Sequence, residues 1–288
     1  MFLKNRKIYK FKNFNLIQKF INKFKITSFN QKNKVDAYSK FFELGELIKE
    51  ISDDKIKNNL PEHLINVEKK NKRPLTFELN DLCRLHWLVL ARKALNTLEF
   101  GSGFSTLFIA DSCLILKKFF KDVENLRVEK KFHVYSLEES KKFINITKKR
   151  LFLDLKKHVT LINSKHKIIN YQGKYATQCL NVPNISPDLI YLDGPSQYIS
   201  KKNFNGFNFN TISRFPMSAD LLLLEYFFEP GTFIIVDGRT SNARFLKDHF
   251  KRNWKYFHDT SADCHYFELN EKPLGKYNKL KLKFCLGK

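Results

Sequence analysis

The stretch TLEFGSGFST, residues 97–106, decides the fold. A short apolar segment ends in Glu99, passes through a turn with Gly101 and Gly103, and enters a segment with helical spacing. In α/β sheets such a turn lets the backbone approach a ligand, and the N–H groups that open the helix can face an anionic or polar group. A tight turn without a ligand is the alternative interpretation. The missing GK[ST] ending excludes a phosphate-binding loop of the nucleotide-triphosphatase type.

Strand and helix patterns alternate after this turn. The predicted strands cover 97–100, 132–137, 159–162, 189–192 and 233–236, and the predicted helices cover 105–120, 140–155, 217–228 and 242–250. This alternation predicts an α/β protein with a Rossmann-like, mostly parallel sheet and helices on both faces. Residues 254–257 and 265–269 flank a turn-rich stretch, which predicts an antiparallel C-terminal hairpin at the sheet edge. Helices over 38–49 and 80–93 precede the sheet.

The chain divides by composition into three parts. We predict a basic, partly helical N-terminal extension (1–74), a main domain (75–270) and a Lys-rich C-terminal tail (271–288). Of the net charge of +23, residues 1–40 carry +10 and residues 271–288 carry +5. Because Lys far outnumbers Arg, which is the better phosphate ligand, a nucleic-acid partner is not expected.

The extension suggests a peripheral membrane contact as an alternative to simple solubility. Its apolar residues could share one face of a short basic helix: Phe11, Phe14, Leu16, Ile17, Phe20, Ile21 and Phe24. No apolar run approaches the roughly 20 residues of a transmembrane helix, and the uncharged core of a secretory signal is missing. Five cysteines without a CxxC pair are typical of reduced thiols. We therefore expect a cytoplasmic protein.

A second motif, HVYSLEES, places Glu138 at the end of the next predicted strand. In nucleotide-binding α/β folds an acid at this edge accepts hydrogen bonds from ribose hydroxyls. Glu139 competes for this role. An ordinary exposed acid that opens a helix is the other interpretation.

In chain order, LEFGSGFST, VYSLE, DLIYLDGP and PGTFIIVDGR resemble the motif set of class I S-adenosylmethionine-dependent methyltransferases, over about residues 75–269. The resemblance implies that the turn after the first strand holds the methionine end of S-adenosylmethionine, that Glu138 binds its ribose, and that the segment at Asn163 and Ser164 borders its adenine. The implied cofactor-binding residues are Glu99, Gly101, Ser102, Gly103, Ser105, Thr106, Glu138, Ser164 and Asp193. Ser105 stands where the family pattern has its third glycine.

Asp193 and Asp237 follow neighbouring predicted strands, so their carboxylates should face one crevice at the carboxyl ends. They are the predicted catalytic residues. The likeness to metal-dependent O-methyltransferases implies that these two acids and Asn242 hold a divalent cation, Mg²⁺ or Mn²⁺, which would orient the acceptor oxygen. Without a metal, either acid could act as a general base toward a hydroxyl group.

A weaker likeness concerns the acceptor. The segments DGPSQY, RFPMSADLLLLEYFF, VDGR and NARFL are similar to plant methyltransferases that modify glucuronic acid on xylan. This likeness implies polysaccharide modification, with a glycan or small hydroxylated metabolite as acceptor. Anionic groups of the acceptor could then pair with Lys201, Arg214 or Arg239. Ordinary solvated surface charges are the alternative.

The sequence therefore predicts an S-adenosylmethionine-dependent O-methyltransferase. Two other transferase or oxidoreductase classes use the same fold, the aminopropyltransferases and the nicotinamide-dependent enzymes. A non-catalytic module that binds nucleic acid or membrane is the remaining alternative. We expect His86, Trp87 and His265 to be packing residues, and 203–210 to form a loop over the open end of the sheet.

Overall fold

The computed structural model describes residues 5–6, 8, 10–48, 78–121, 123, 126–195, 204–207 and 216–287. Residues 53–73, a polar stretch that we expect to connect the predicted helices 38–49 and 80–93, lie outside these residues. Strands are β1 (Asn96–Phe100), β2 (His133–Glu138), β3 (Val159–Asn163), β4 (His166–Tyr171), β5 (Lys174–Cys179), β6 (Leu189–Leu192), β7 (Phe233–Asp237), β8 (Trp254–Asp259) and β9 (Cys264–Leu269). Helices are α1 (Phe14–Ile21), α2 (Lys32–Phe42), α3 (Gly45–Ile48), α4 (Leu79–Ala91), α5 (Phe104–Phe119), α6 (Lys141–Arg150), α7 (Asp220–Leu223), α8 (Thr240–His249) and α9 (Gly275–Leu286).

Seven strands form one sheet in the order β3-β2-β1-β6-β7-β9-β8. The first five strands of that order pair in parallel, whereas β9 runs antiparallel to both β7 and β8. The predicted Rossmann-like sheet with an antiparallel C-terminal edge is therefore confirmed. The chain leaves β1 in one direction and returns at β6 in the other, so the crevice for a ligand is expected beside these strands, at their carboxyl ends.

Side chains of the central strands alternate between two apolar layers, as buried parallel strands require. Tyr191 and Ile235 pack in the layer that contains α4 and α5. Ile190 and Ile234 pack in the layer that contains residues of α7 and α8. Helices therefore cover both faces, as predicted, and only the ends of the strands remain open for chemistry.

The described part of the N-terminal extension contains the predicted helices, and it packs against the main domain. Ile17 and Ile21 of α1, at 0% and 1% exposure, belong to the same apolar cluster as α4 and α5. Arg6 is buried beside α5, where its Nε donates to Asp111 Oδ1 at 2.8 Å. The apolar face predicted to contact a membrane is thus used mainly within the protein. Leu16 is the exception, at 50% exposure.

Three elements differ from the sequence predictions. The stretch between the predicted strands 159–162 and 189–192, for which no element was predicted, contains the antiparallel hairpin β4–β5. The helix predicted over 217–228 is reduced to the single turn of α7 and a following 3-10 turn. The Lys-rich tail, for which no helix was predicted, contains α9, which docks through Lys281, whose Nζ lies 2.8 Å from carboxylate oxygens of Asp188 and Glu229.

Candidate functional site

The conformation of the turn between β1 and α5 depends on its glycines and on Glu99. Gly101 has a φ of 102°, a conformation that side chains with a Cβ rarely adopt. Thr106, in the first turn of α5, donates from Oγ1 to Glu99 Oε2 at 2.6 Å and accepts from the N–H of Gly103 at 3.0 Å. The turn is therefore fixed from below by Glu99, and its backbone faces the crevice.

Glu99 is fully buried at the end of β1. Burial raises its pKa to about 7, and the hydroxyls of Ser105, Ser136 and Thr106 counter part of that rise. Its Oε1 atom has no hydrogen-bond partner of acceptable geometry in the described part of the chain. A buried carboxylate with an unused oxygen is costly unless a donor or a cation completes it.

Glu138 ends β2 and reaches the same turn. Its Oε2 accepts from the N–H of Ser102 at 3.1 Å and from the Ser102 hydroxyl at 3.3 Å, and its Oε1 accepts from the N–H of Ser140 at 2.8 Å. The side chain is nearly buried, and burial raises its pKa while these bonds lower it. Glu138 therefore connects the first two strand ends, and its Oε1, with one donor, keeps room for a second.

The end of β3 joins this edge through Asn163, whose Nδ2 donates to the backbone oxygens of Glu138 and Glu139 at 3.0 and 2.8 Å. Ser164 follows, fully buried, and its hydroxyl accepts from the N–H of Asn181 at 3.1 Å. The predicted adenine-side residues thus lie beside Glu138. The hydroxyl of Ser164 is already engaged within the protein.

Asp193 follows β6 directly, and its N–H donates to the carbonyl of Phe100, at the β1 end, at 3.1 Å. Its carboxylate is 56% exposed, yet the surrounding protein raises its pKa to about 7, with Asp237 and Glu99 adding repulsion and Arg239 opposing it. More than half of the side chain meets solvent, which reduces the size of this rise.

Arg239 was predicted as a partner for an anionic acceptor, and the structure places it otherwise. Its guanidinium is buried, donates from Nη2 to the backbone oxygen of Asp193 at 2.9 Å, and lies 3.8 Å from the Asp193 carboxylate. It therefore steadies the turn after β6 and favours the ionised form of Asp193. Lys201 and Arg214 lie outside the described residues.

Asp237 ends β7 and faces the α4 side of the sheet. Its Oδ2 accepts from the hydroxyl of Tyr191 at 2.6 Å, and its Oδ1 accepts from the thiol of Cys264 at 3.3 Å. Asp81, at the start of α4, lies beside it and forms an ion pair with Arg84. Burial, followed by the charge of Asp237, raises the pKa of Asp81 to about 6.

Asp81 is the site residue that sequence reasoning missed. It precedes the strand motifs by a whole helix, and no local pattern marks it. Only the packing of α4 across the sheet brings its carboxylate to Asp237. The structure therefore adds a third acid to the predicted pair, and the two strand-end acids keep their predicted places at neighbouring strand ends.

Of the predicted metal ligands Asp193, Asp237 and Asn242, the third has its side chain engaged within the protein. Asn242 is buried, and its amide pairs with the backbone of Ser218, since Oδ1 accepts from the N–H at 2.8 Å and Nδ2 donates to the carbonyl at 3.2 Å. The Asn oxygen is thus committed within the core. Two groups of His, Cys, Asp or Glu in the described ranges could hold a metal, and neither includes Asp193; they are Asp81, Asp237 and Cys264, and His258, Asp263 and His265.

The stretch 203–210 is described only over residues 204–207. There the backbones of Phe204 and Phe207 exchange two hydrogen bonds around a tight turn, and both rings contact Tyr175 of β5. This part of the predicted loop therefore packs on the β4–β5 hairpin. Of the helices in the part of the chain that the structure describes, none is both long and apolar enough to cross a membrane.

No protein-family model matches the chain, and no curated protein matches it. Solved structures that match it include the SAH-bound methyltransferase PaMTH1 from Podospora anserina, at 12% identity, TM-score 0.40, and 74% and 89% coverage of this chain and that one. The O-methyltransferase TomG from Streptomyces achromogenes, involved in tomaymycin synthesis and solved with SAM, matches at 14% identity, TM-score 0.38, and 74% and 91% coverage.

The O-methyltransferase from Bacillus cereus, solved with SAH, matches at 14% identity, TM-score 0.37, and 82% and 100% coverage. Each of these three is named as a methyltransferase, the family that the motif set resembles. Identities of 12–14% and TM-scores of 0.40 or below are too low to transfer their activities to this chain.

Proposed function

We propose that this protein is an S-adenosylmethionine-dependent O-methyltransferase that acts on a hydroxyl group of a glycan or a small hydroxylated metabolite. The observation that carries the proposal is the meeting of four strand ends at one edge of the sheet. Glu99, Glu138, Asp193 and Asp237 stand at the ends of β1, β2, β6 and β7. The motif set that resembles the methyltransferase family supplies all four.

The residues around the β1 turn fit the donor. The unpartnered Oε1 of buried Glu99 is suited to a cationic or N–H-bearing group, as the methionine end of the cofactor presents. The positive φ of Gly101 leaves the backbone without a side chain at the point of closest approach. The carboxylate of Glu138 can accept from ribose hydroxyls in addition to its present donors.

When bound, the cofactor supplies a methyl group that its sulfonium already activates. The protein then has to align the acceptor and remove one proton. Asp193, with a pKa raised toward 7 and more than half its carboxylate exposed to the crevice, is the base we assign. Arg239 keeps part of the Asp193 population ionised at neutral pH, and Asp237 lies beside it as a second acid.

We assign proton removal to Asp193 directly, since the amide oxygen of Asn242, the predicted third metal ligand, already accepts from the N–H of Ser218. The acceptor class rests on the weaker likeness to glucuronic acid O-methyltransferases. The buried position of Arg239 removes one of the three basic residues that favoured an anionic acceptor. A neutral sugar hydroxyl is therefore as good a first substrate as a uronic acid.

Calorimetry with S-adenosylhomocysteine tests the donor, with NAD and decarboxylated S-adenosylmethionine as competitors. We expect one binding site per chain that neither competitor blocks. Labelled S-adenosylmethionine with a panel of neutral and uronic-acid oligosaccharides then tests the acceptor. A folded protein that binds NAD but not S-adenosylhomocysteine would contradict the proposal, and methyl transfer to amines alone would contradict the hydroxyl acceptor.

A further inference from the structure

The hairpin β8–β9 brings two histidines face to face across its strands. His258 and His265 are directly paired in register, and their rings stack with centroids 3.8 Å apart and planes 13° from parallel. Asp263 immediately precedes β9 and has a φ of 47°. One ligand atom from each of these residues lies within 4.8 Å of the other two.

Both ring nitrogens of His265 contact hydroxyl groups, which could orient the ring as a metal ligand. Its Nδ1 contacts the hydroxyl of Tyr256 at 2.9 Å, and its Nε2 contacts the hydroxyl of Thr240 at 2.9 Å. Thr240 also donates to Asp263 Oδ1 at 3.0 Å. If an ion bound Nε2, the ring proton would move to Nδ1, and the Nδ1–H group would donate to the hydroxyl oxygen of Tyr256. Hydrogen bonds of this kind orient the histidine ligands of metal sites in general.

The burial of the three residues is graded. His265 is fully buried, His258 is half-buried and Asp263 is exposed, so an ion can enter from the Asp263 side. Burial, and then the neighbouring His258, lowers the pKa of His265 to about 4, which leaves a neutral ring at physiological pH. Neutral imidazole is the form that binds metals.

We propose that His258, His265 and Asp263 form a binding site for a divalent transition-metal ion of the zinc, cobalt or nickel class. Two imidazoles and one carboxylate favour these ions over Mg²⁺ or Mn²⁺, which prefer oxygen ligands. Three protein ligands leave a fourth position for water. The ion would tie the β8–β9 turn to Thr240 at the start of α8, and its existence is independent of the proposed methyltransferase activity.

Metal-free, tag-free protein titrated with Co²⁺ tests the site, with visible absorption to report its geometry and calorimetry with Zn²⁺ to give affinity and stoichiometry. We expect one ion per chain, a tetrahedral cobalt spectrum, and a higher melting temperature with Zn²⁺. His258→Phe keeps a ring in the stack and Asp263→Asn tolerates the positive φ, so both variants should fold. Each should weaken binding at least about tenfold, the loss typical of a disturbed metal site.

Two control variants make the result decisive. His249→Gln removes a half-buried histidine outside the cluster and should leave binding unchanged. Cys264→Ser alters the other potential group, with Asp81 and Asp237, and should also leave it unchanged. The proposal fails if the wild type binds no ion, if His258→Phe binds as tightly as the wild type, or if Cys264→Ser alone abolishes binding.

Discussion

Glu99 sits where burial and function conflict. A carboxyl group with a pKa raised to about 7 is partly protonated at neutral pH, although a cationic ligand needs it ionised. The protein meets this conflict with hydroxyls rather than with an arginine, since Thr106 donates directly to Glu99. The charge that is missing in the free protein would arrive with the cofactor.

The affinity for S-adenosylhomocysteine should therefore depend on pH. Below pH 7, binding must first displace the Glu99 proton, so the affinity falls as the pH falls through the raised pKa. Between pH 8 and pH 6 we expect a loss of about tenfold in calorimetry. Glu99→Gln should bind more weakly at pH 8 and show little of this dependence. If the affinity of Glu99→Gln depended on pH as strongly as that of the wild type, another group would be the one that loses the proton on binding.

Asp193→Asn and Asp237→Asn test the two strand-end acids. Each variant should keep the fold and most of its cofactor affinity but lose methyl transfer by roughly 100-fold or more. In the wild type, the rate should rise with pH through the raised pKa of Asp193 and then level off, because the base must be ionised. Asp248→Asn, an exposed acid on α8, is the matched control and should leave the rate unchanged. If both Asn variants methylate the acceptor at the wild-type rate, the catalytic site lies elsewhere.

At the scale of elements, the two glycines of the β1–α5 turn have different roles. A Cβ on Gly101 would contact the backbone of Asp193 at 3.5 Å and would sit at a φ of 102°. A Cβ on Gly103 would meet nothing within 4 Å. The turn therefore tolerates a side chain at one position and is strained by it at the other.

We expect Gly101→Ala to lower the free energy of unfolding by about 1–3 kcal/mol and to weaken S-adenosylhomocysteine binding. Gly103→Ala should leave the free energy of unfolding nearly unchanged, because its position is open. Urea denaturation and calorimetry on the two variants measure both effects. Equal losses of stability in the two variants would show that backbone conformation is not what selects glycine at Gly101.

Strands and helices with a strong hydrophobic periodicity could be predicted from the sequence. Elements and contacts that depend on residues distant in the chain could not. The apolar strands β1, β2, β6 and β7 and their acidic ends are local patterns, and they gave the sheet and most of the site. The hairpin β4–β5 mixes Lys, Asn and Gln with apolar residues in no strict alternation, and it is recognisable only from its pairing. Asn242 was assigned to a metal because the pattern cannot show that its amide pairs with Ser218.

At the scale of the whole molecule, the basic ends are built into the fold. Arg6 pairs with Asp111, which has 0% exposure and also contacts His86. At the other end, Lys281 pairs with Asp188, which directly precedes β6. Part of the positive charge at the two ends therefore forms ion pairs inside the protein. Composition alone divided the chain into an extension, a main domain and a tail, because it cannot show which lysines and arginines are buried.

Removal of residues 1–30 should consequently destabilise the protein rather than leave it intact. The deletion takes away Ile17, Ile21 and Phe29, each 0–1% exposed, and burial of one such side chain stabilises by about 1.5–3 kcal/mol. It also leaves Asp111 buried without Arg6, a loss of about 3–5 kcal/mol for a broken buried pair. Together these losses are comparable with the whole stability of a typical domain, about 5–15 kcal/mol, so we expect little folded protein by circular dichroism.

A matched pair on α1 tests the same point without deleting the segment. Ile21→Ala empties a buried position and should lower the free energy of unfolding by about 2–5 kcal/mol. Leu16→Ala, on the same helix but 50% exposed, should change it by no more than about 0.5 kcal/mol. Urea denaturation followed by tryptophan fluorescence measures both, since Trp87 packs against this helix and donates from Nε1 to the backbone oxygen of Ile21. If Ile21→Ala unfolds at the wild-type midpoint, α1 is a separable arm after all, and its apolar face is free for an external partner.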